Sequence, residues 1–314
     1  MFGKTWIRFA TAALAALPLL AAAAGPAFGI VTIADGELTL LRDTERFAGA
    51  EGLRVRADDI VVTGEKTRLV RIELADGKVL DLGPATQVML QPRALARDPE
   101  RPATAYLAAG WLKLAAPANQ TAPAVLAGPR LDAVGVGGTV IAHAAPDLAW
   151  LFVESGVAEA VLHADGHRAA PQAMRDADSL LQRGAAAPES GRLPPAEMLA
   201  QMPRPFTDTL PRRAARLADQ AFDAAKGSPA SYADVAPWLN GEPALRGAFV
   251  HRFTPRSREG AFRASLVAEL RLHPEWRPVL FPPPPPPPKP RPAPVLPPAP
   301  ETATEPQTVV KAPE

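Results

Sequence analysis

The sequence predicts a mainly β protein: an N-terminal antiparallel β-sandwich or roll, then a small α-helical module and a disordered proline-rich tail. Three observations predict it. Short apolar runs with period-2 alternation, broken by Gly, Asp and Pro, extend from Ile30 to about Leu162. From Pro194 to Phe281 the apolar period lengthens towards 3.6. From Pro282 onward proline dominates, supplying 15 of the last 33 residues.

The elements follow in chain order. Residues 1–24 have a secretory leader's pattern: Lys4 and Arg8, a short apolar stretch from Phe9 to Leu20, then Ala22-Ala23-Ala24 for a signal peptidase. Removing it takes the formal charge from +1 to −1. No cysteine follows the apolar stretch, so no lipid anchor is expected, and a protein with no cysteine must hold itself together by packing. The expected location is exported, the periplasm of a Gram-negative bacterium, with membrane contact only through the leader before cleavage. The near-neutral balance excludes a strong nucleic-acid signature.

The β domain is assigned to residues 30–165. Candidate strands are 29–33, 37–42, 60–62, 69–74, 79–82, 87–90, 111–114, 131–136, 139–143, 148–153 and 157–162. The stretch RIELADGKVLDLG carries the sharpest expectation. If Ala75-Asp76-Gly77 is a three-residue loop, Ile72 faces Leu80 and Val70 faces Leu82, with Arg71 opposite Asp81 and Glu73 opposite Val79. A two-residue turn would place Ile72 against Asp81 and destroy the apolar face. The loop is therefore a type I turn with Gly77 in the left-handed position, forming a bulge. The triplets Ala34-Asp35-Gly36 and Ala164-Asp165-Gly166 are read as the same turn grammar, with turn-forming aspartates in place of metal ligands.

Residues 166–193, rich in Ala, Gly, Arg and Pro, are expected as a linker with at most one helical turn. Residues 194–281 are expected as a module of three or four helices, covering 211–226, 243–253 and 257–272. Residues 282–314 open on seven consecutive prolines and favour an extended polyproline rod, a spacer or docking peptide.

The stretch VRADDIVVTGEKTRLVRIELADGKVLDLGPATQVML resembles the core of the FecR-type periplasmic domain. The marks are Asp58-Asp59-Ile60, Thr63-Gly64, Leu74-Ala75-Asp76-Gly77 and Gly83-Pro84-Ala85-Thr86. Ala109-Gly110-Trp111-Leu112, Gly138-Thr139-Val140-Ile141 and Val153-Glu154-Ser155-Gly156-Val157 follow in order. The resemblance covers roughly residues 30–165. It implies an all-β periplasmic domain that binds or senses without catalysis. In the founding members a cytoplasmic segment and a membrane span precede this domain. Here only a few residues precede the apolar stretch, so the resemblance implies the exported, free-standing FecR-domain proteins and not the anti-sigma architecture. The segments around Tyr232–Trp238 and His273–Phe281 are similar to an accessory region of such proteins, for which no activity is implied.

The remaining motifs are weak as chemistry. Thr63-Gly64-Glu65-Lys66-Thr67 lacks the upstream glycine of a phosphate-binding loop and reads as a strand connection. Gly135-Val136-Gly137-Gly138 has Val140 where a dinucleotide fingerprint needs glycine, and reads as a bulge or tight β connection. His163, Asp165 and His167 are too few for a closed zinc site. Asp58 and Asp59 point to opposite faces if extended, which opposes a shared acid–base site. Ser155-Gly156 is expected at a β turn, without the surroundings of a nucleophile elbow. Asn119-Gln120-Thr121 is a glycosylation sequon only in a eukaryotic secretory route. Trp238, Trp276 and Phe281 are read as module core rather than an aromatic binding surface. Between residues 201 and 280 Arg and Lys number twelve against eight Asp and Glu, a mild cationic excess.

The expectation is an exported, non-enzymatic protein that binds a cell-envelope protein or glycan, with a role in envelope sensing or signalling, no catalytic, metal or cofactor-binding residues, and no cofactor. The rival reading is a carbohydrate- or peptidoglycan-active enzyme using the helical module. It requires Glu242, Glu259, His251 or His273 to converge in a pocket.

Overall fold

The computed structural model describes residues 28–95, 103–117, 123–164 and 167–283. The expected leader, nearly all of the proline-rich tail, the sequon at 119–121 and the turn residues Asp165 and Gly166 lie outside the described residues.

The chain begins with β1 (Gly29–Asp35), β2 (Leu38–Arg42), β3 (Glu45–Ala48), β4 (Arg54–Val55), β5 (Ile60–Thr63), β6 (Leu69–Leu74), β7 (Val79–Leu82) and β8 (Gln87–Leu90). Next come three strands of 12, 15 and 17 residues, β9 (Ala105–Ala116), β11 (Leu131–Ala145) and β12 (Leu148–Ala164), with β10 (Ala124–Ala127) between the first two. Short strands β13 (His167–Arg168), β14 (Gln172–Arg175), β15 (Asp178–Arg183) and β16 (Glu189–Arg192) close the series, and β17 (Ser228–Pro229) is added later. The helices are α1 (Ala196–Gln201), α2 (Ala214–Leu217), α3 (Tyr232–Leu239), α4 (Pro243–Phe253), α5 (Gly260–Ala268) and α6 (Arg277–Leu280).

Pairing defines a two-layer sandwich. One layer runs β4, β1, β6, β7, the second half of β9, the second half of β11, the first half of β12, β15 and β16. The other runs β17, β3, β2, β5, β8, the first half of β9, β10, the first half of β11, the second half of β12 and β14. The three long strands thus cross between layers, as corner strands do in orthogonal packings. At one corner Gly138 pairs with Gly156, with φ of 133° and 85°. A Cβ on Gly156 would lie 1.9 Å from the Gly137 carbonyl oxygen, so only glycine lets the two backbones cross there. Ser155-Gly156 therefore sits inside a bent strand, not at a turn, and Gly135–Gly138 likewise lies inside β11, where a bulge falls between Val134 and Gly137, so of the two expected readings it is a bulge and not a connection. Among the described residues, the named strands pair antiparallel except β9 with β10, and the isolated Leu53–Phe222 bridge is parallel.

The β6–β7 hairpin has the predicted register: Val70 pairs with Leu82, Arg71 with Asp81, Ile72 with Leu80 and Glu73 with Val79. Gly77 has φ of 85°, its N–H donates to the Leu74 carbonyl at 3.0 Å, and the Leu74 N–H donates to the Lys78 carbonyl at 2.9 Å. Asp76 accepts from the Lys78 N–H at 3.1 Å. The first triplet differs. Gly36 has φ of 129°, and β1 and β2 do not pair with each other but with β6 and β5. It carries the chain between layers rather than closing a hairpin.

Val31, Leu40, Val70, Ile72, Leu80, Leu114, Val140 and Val153 belong to the core between the layers. Both outer faces are also covered. After β16 the chain becomes a belt, residues 193–230, that crosses one outer face and then rounds the sandwich edge. Met198 and Phe206 are fully buried against Leu69, Trp111, Ile141, Trp150 and Leu181. At the edge the Phe222 N–H donates to the Gly52 carbonyl and the Arg54 N–H to the Phe222 carbonyl, at 3.0 and 2.8 Å. These long-range bonds hold Phe222 out of a helix. The helix expected over 211–226 is reduced to α2 and one 3-10 turn at Ala218–Gln220.

The other outer face is covered by α3 to α6. Ser231 and Asp234 form a capping box at the start of α3, and Pro243 opens α4. Trp238, Phe249, Phe253 and Phe262 stack in sequence at 6.1, 5.8 and 6.0 Å between centroids. Leu41, Ile60, Met89 and Tyr106 of the sandwich enter this core, so the helices share it with the β layer. The stretch 166–193, expected as a linker, carries β13 to β16. Strands β14 and β16 carry no apolar alternation because they are mostly exposed, with one buried residue and none, and β15, four of whose six residues are buried, hides polar Ser179 and Gln182 beside Leu180 and Leu181. No helix among the described residues is long and apolar enough to cross a membrane.

Candidate functional site

A cleft of about 1070 Å³ opens between the Asp58-Asp59 corner of the sandwich and helix α4. Its floor and walls include Arg42, Arg56, Asp58, Asp59, Arg93, His251 and Arg252. Local sequence explains the corner. Asp58 has φ of 62° and Asp43 has φ of 52°, left-handed conformations that Asp tolerates better than most side chains. These two turns aim their carbonyls at α4. The Arg252 guanidinium donates to the Asp43, Asp58 and Leu41 carbonyls, and lies 5.5 Å from the ring centres of Phe249 and Phe253. Burial pulls the Arg252 pKa below the usual guanidinium value, against the pull of Asp43, Asp58 and Asp59.

The two aspartates point apart. Asp59 is buried and accepts from Nε and Nη2 of Arg42, at 2.9 and 2.6 Å, and from the Arg56 N–H at 2.7 Å. Burial works to lower the Arg42 pKa, but the Asp59 hydrogen bonds and charge outweigh it and raise the pKa. Asp58 turns outward and binds the Arg93 backbone and side chain. Arg56 pairs with Asp223 of the belt at 2.9 Å. The cleft is therefore edged by fixed charges held in pairs, a geometry that recognises polar groups more readily than it moves protons.

The other outer face holds a second polar constellation. Arg71 and Asp81 form a buried two-bond pair, and Glu73 and Lys78 are buried beside them. For Arg71 too, burial lowers the pKa, and Asp81 more than offsets it. Nearby, the His143, Trp111 and Trp150 rings form a mutually contacting triangle, with the imidazole centre 4.4 and 5.2 Å from the two indoles, which are 5.5 Å apart. Its Nδ1 is buried without a hydrogen-bond partner, and burial pushes its pKa down to about 4.

The residues singled out by sequence do not come together. Of Glu242, Glu259, His251 and His273, only His251 lines the cleft. Glu259 pairs with Arg256, and His273 is fully buried, with Nε2 at 3.0 Å from the Tyr232 hydroxyl. His163 meets Asp132 at 3.0 Å, whereas His167 is exposed. Trp238 and Trp276 are core residues, and Phe281 is 54 % exposed. Thr67 ties its loop down by donating to the Glu37 carbonyl at 2.8 Å. Sequence reasoning missed Arg252, Arg93 and Arg56. Positive charge on a helix or loop carries no mark of the distant carbonyl or carboxylate it will meet.

No family model matches the chain, and no curated protein matches it. Among solved structures, two crystal structures of a candidate anti-sigma factor from Parabacteroides distasonis ATCC 8503 are similar to it. Their identities are 13 % and 11 %, each with a TM-score of 0.37, over 45 % of this chain and 62 % of that one. The chain thus spans less than two thirds of that protein's length.

Proposed function

We propose that the protein is an exported, non-enzymatic binding protein of the FecR-domain kind, which engages a cell-envelope protein or glycan through the cleft beside α4 and serves envelope sensing. The observation that carries the reading is the state of the ionisable groups in the cleft. Asp59, Asp58 and Arg56 are engaged by charged partners and Arg252 by carbonyls. A general acid or base needs a group poised to exchange a proton with substrate. Paired, positioned charges instead favour recognition. The enzyme reading loses support because the carboxylates and imidazoles it requires are not gathered in the cleft.

The test is crosslinking in cells from a photoreactive residue placed at the exposed Ala248, with and without residues 284–314. Cosedimentation of the purified protein with cell wall runs in parallel. Capture of a defined envelope protein, or sedimentation lost on Arg93→Ala, supports the reading. Capture no greater than from a photoreactive residue on exposed β16, with no sedimentation, removes it. Fractionation of the tagged protein tests export.

A further inference from the structure

The belt grips the sandwich in an unusual manner. Four hydrogen bonds run from side chains of the face to the main chain of the belt. Arg71 donates to the Leu210 carbonyl at 2.9 Å and Lys113 to the Phe206 carbonyl at 2.6 Å. The Glu73 carboxylate accepts from the backbone N–H groups of Arg213 and Ala214, at 2.7 and 3.2 Å. Phe206 lies in a 3-10 turn (Arg204–Thr207) and Ala214 opens α2, so these contacts read carbonyls and N–H groups at turn and helix ends and are indifferent to most of the belt's side chains, as main-chain contacts are in other peptide-recognition modes.

Selectivity comes from two seats. Phe206 is fully buried among Trp111, Ile141 and their neighbours. Pro203 lies over Gly83, where a Cβ would stand 2.7 Å from the proline Cγ and 2.9 Å from the Trp111 Cβ. A side chain at position 83 would fill the proline's seat. The face is also unlike a packing core: Arg71, Glu73 and Asp81 are buried in it at a desolvation cost that apolar residues would not carry. Between its anchors the belt is exposed at residues 207–209, 211, 215 and 216, while Arg212 and Arg213 add ties to the Gly77 and Thr32 carbonyls and to Glu51, so release must break these polar ties and empty both seats.

We propose that this face is a peptide-binding groove, occupied in the free protein by residues 198–214 as its own ligand, and that it takes from a partner protein a proline-containing segment with an aromatic anchor. The proposal is independent of the cleft beside α4. The triplet Pro203-Arg204-Pro205 recurs in the tail as Pro290-Arg291-Pro292, but there Ala293 stands where Phe206 follows in the belt. The tail sequence therefore serves as a natural control that lacks the anchor.

The test titrates a labelled peptide of residues 196–214 against the full mature chain and its Phe206→Ala variant. The expected result is saturable binding to the variant at least tenfold tighter than to the unaltered chain. A peptide of residues 288–300 is expected to bind at least tenfold more weakly than the belt peptide. A folded variant that binds the belt peptide no better than the unaltered chain overturns the proposal, as does equal binding of both peptides. Should Phe206→Ala not fold, Phe206→Leu takes its place. Hydrogen exchange on the unaltered chain gives a second, independent readout. The Arg213 and Ala214 amides are expected to exchange at least 100-fold faster than the Leu74 amide of the hairpin. Equal rates would mean that the belt opens only on global unfolding, and would also overturn the proposal.

Discussion

The Arg71 guanidinium and the Asp81 carboxylate meet across the β6–β7 hairpin through two hydrogen bonds of 2.7 Å, with both side chains buried. The hairpin register alone brings them opposite each other, and the belt takes them out of water. Removing one partner strands a desolvated charge, whereas removing both does not. Asp81→Ala is expected to destabilise the fold by about 3–5 kcal/mol. The double change Arg71→Met with Asp81→Leu is expected to recover most of that loss. Urea denaturation of the three chains checks both statements.

Gly77 holds the register that creates this pair. Its φ of 85° is costly for any residue with a Cβ. Gly77→Ala is expected to cost about 1–2 kcal/mol. Denaturation midpoints measure it. No loss at all would contradict the bulged turn.

The imidazole of His143, packed against two tryptophans, makes stability depend on pH. Its folded pKa of about 4 lies below the ordinary 6.5, so the unfolded chain binds the extra proton first. The stabilisation is complete above pH 6.5 and is lost as pH falls to 4, after which it is flat. Allowing for the ring's partial exposure, the loss is about 2–3 kcal/mol. His143→Phe keeps a ring against both tryptophans and is expected to reduce the pH slope of the melting temperature. His273, whose pKa burial also lowers, leaves a residual slope of the same sign.

Arg252 fastens α4 to two left-handed turns. Arg252→Lys keeps the charge but cannot reach three carbonyls in one plane. The expected cost is about 2–3 kcal/mol, concentrated on the helical layer. Limited proteolysis is expected to cut within residues 243–280 before the sandwich opens. Uniform weakening across the chain would show that the clamp is not local.

Legibility followed the range of the forces involved. The pairing of Val70 with Leu82 was readable because a period of two and a glycine at position 77 admit one register only. Helix α4 was readable because Leu245, Phe249 and Phe253 mark one stripe. Strands β14 and β16 were not, since strands so exposed need no apolar alternation, and β15 was not because it buries Ser179 and Gln182 beside Leu180 and Leu181. The segment 214–217 starts a helix as its composition suggests, but Phe222 is held extended by Gly52 and Arg54, 170 and 168 positions away. The arginines of the cleft were silent for the same reason.

By itself, then, the sequence determined the mainly β class, the hairpin and its glycine, and the apolar faces that build the sandwich core, because these depend on neighbours two to four positions apart. Only the tertiary structure decided that both outer faces are covered, that the belt crosses Arg71 and Glu73, and that α4 closes a cleft over Asp58 and Asp59. Those outcomes depend on which distant carbonyls and carboxylates satisfy buried charges, and no local periodicity encodes that choice.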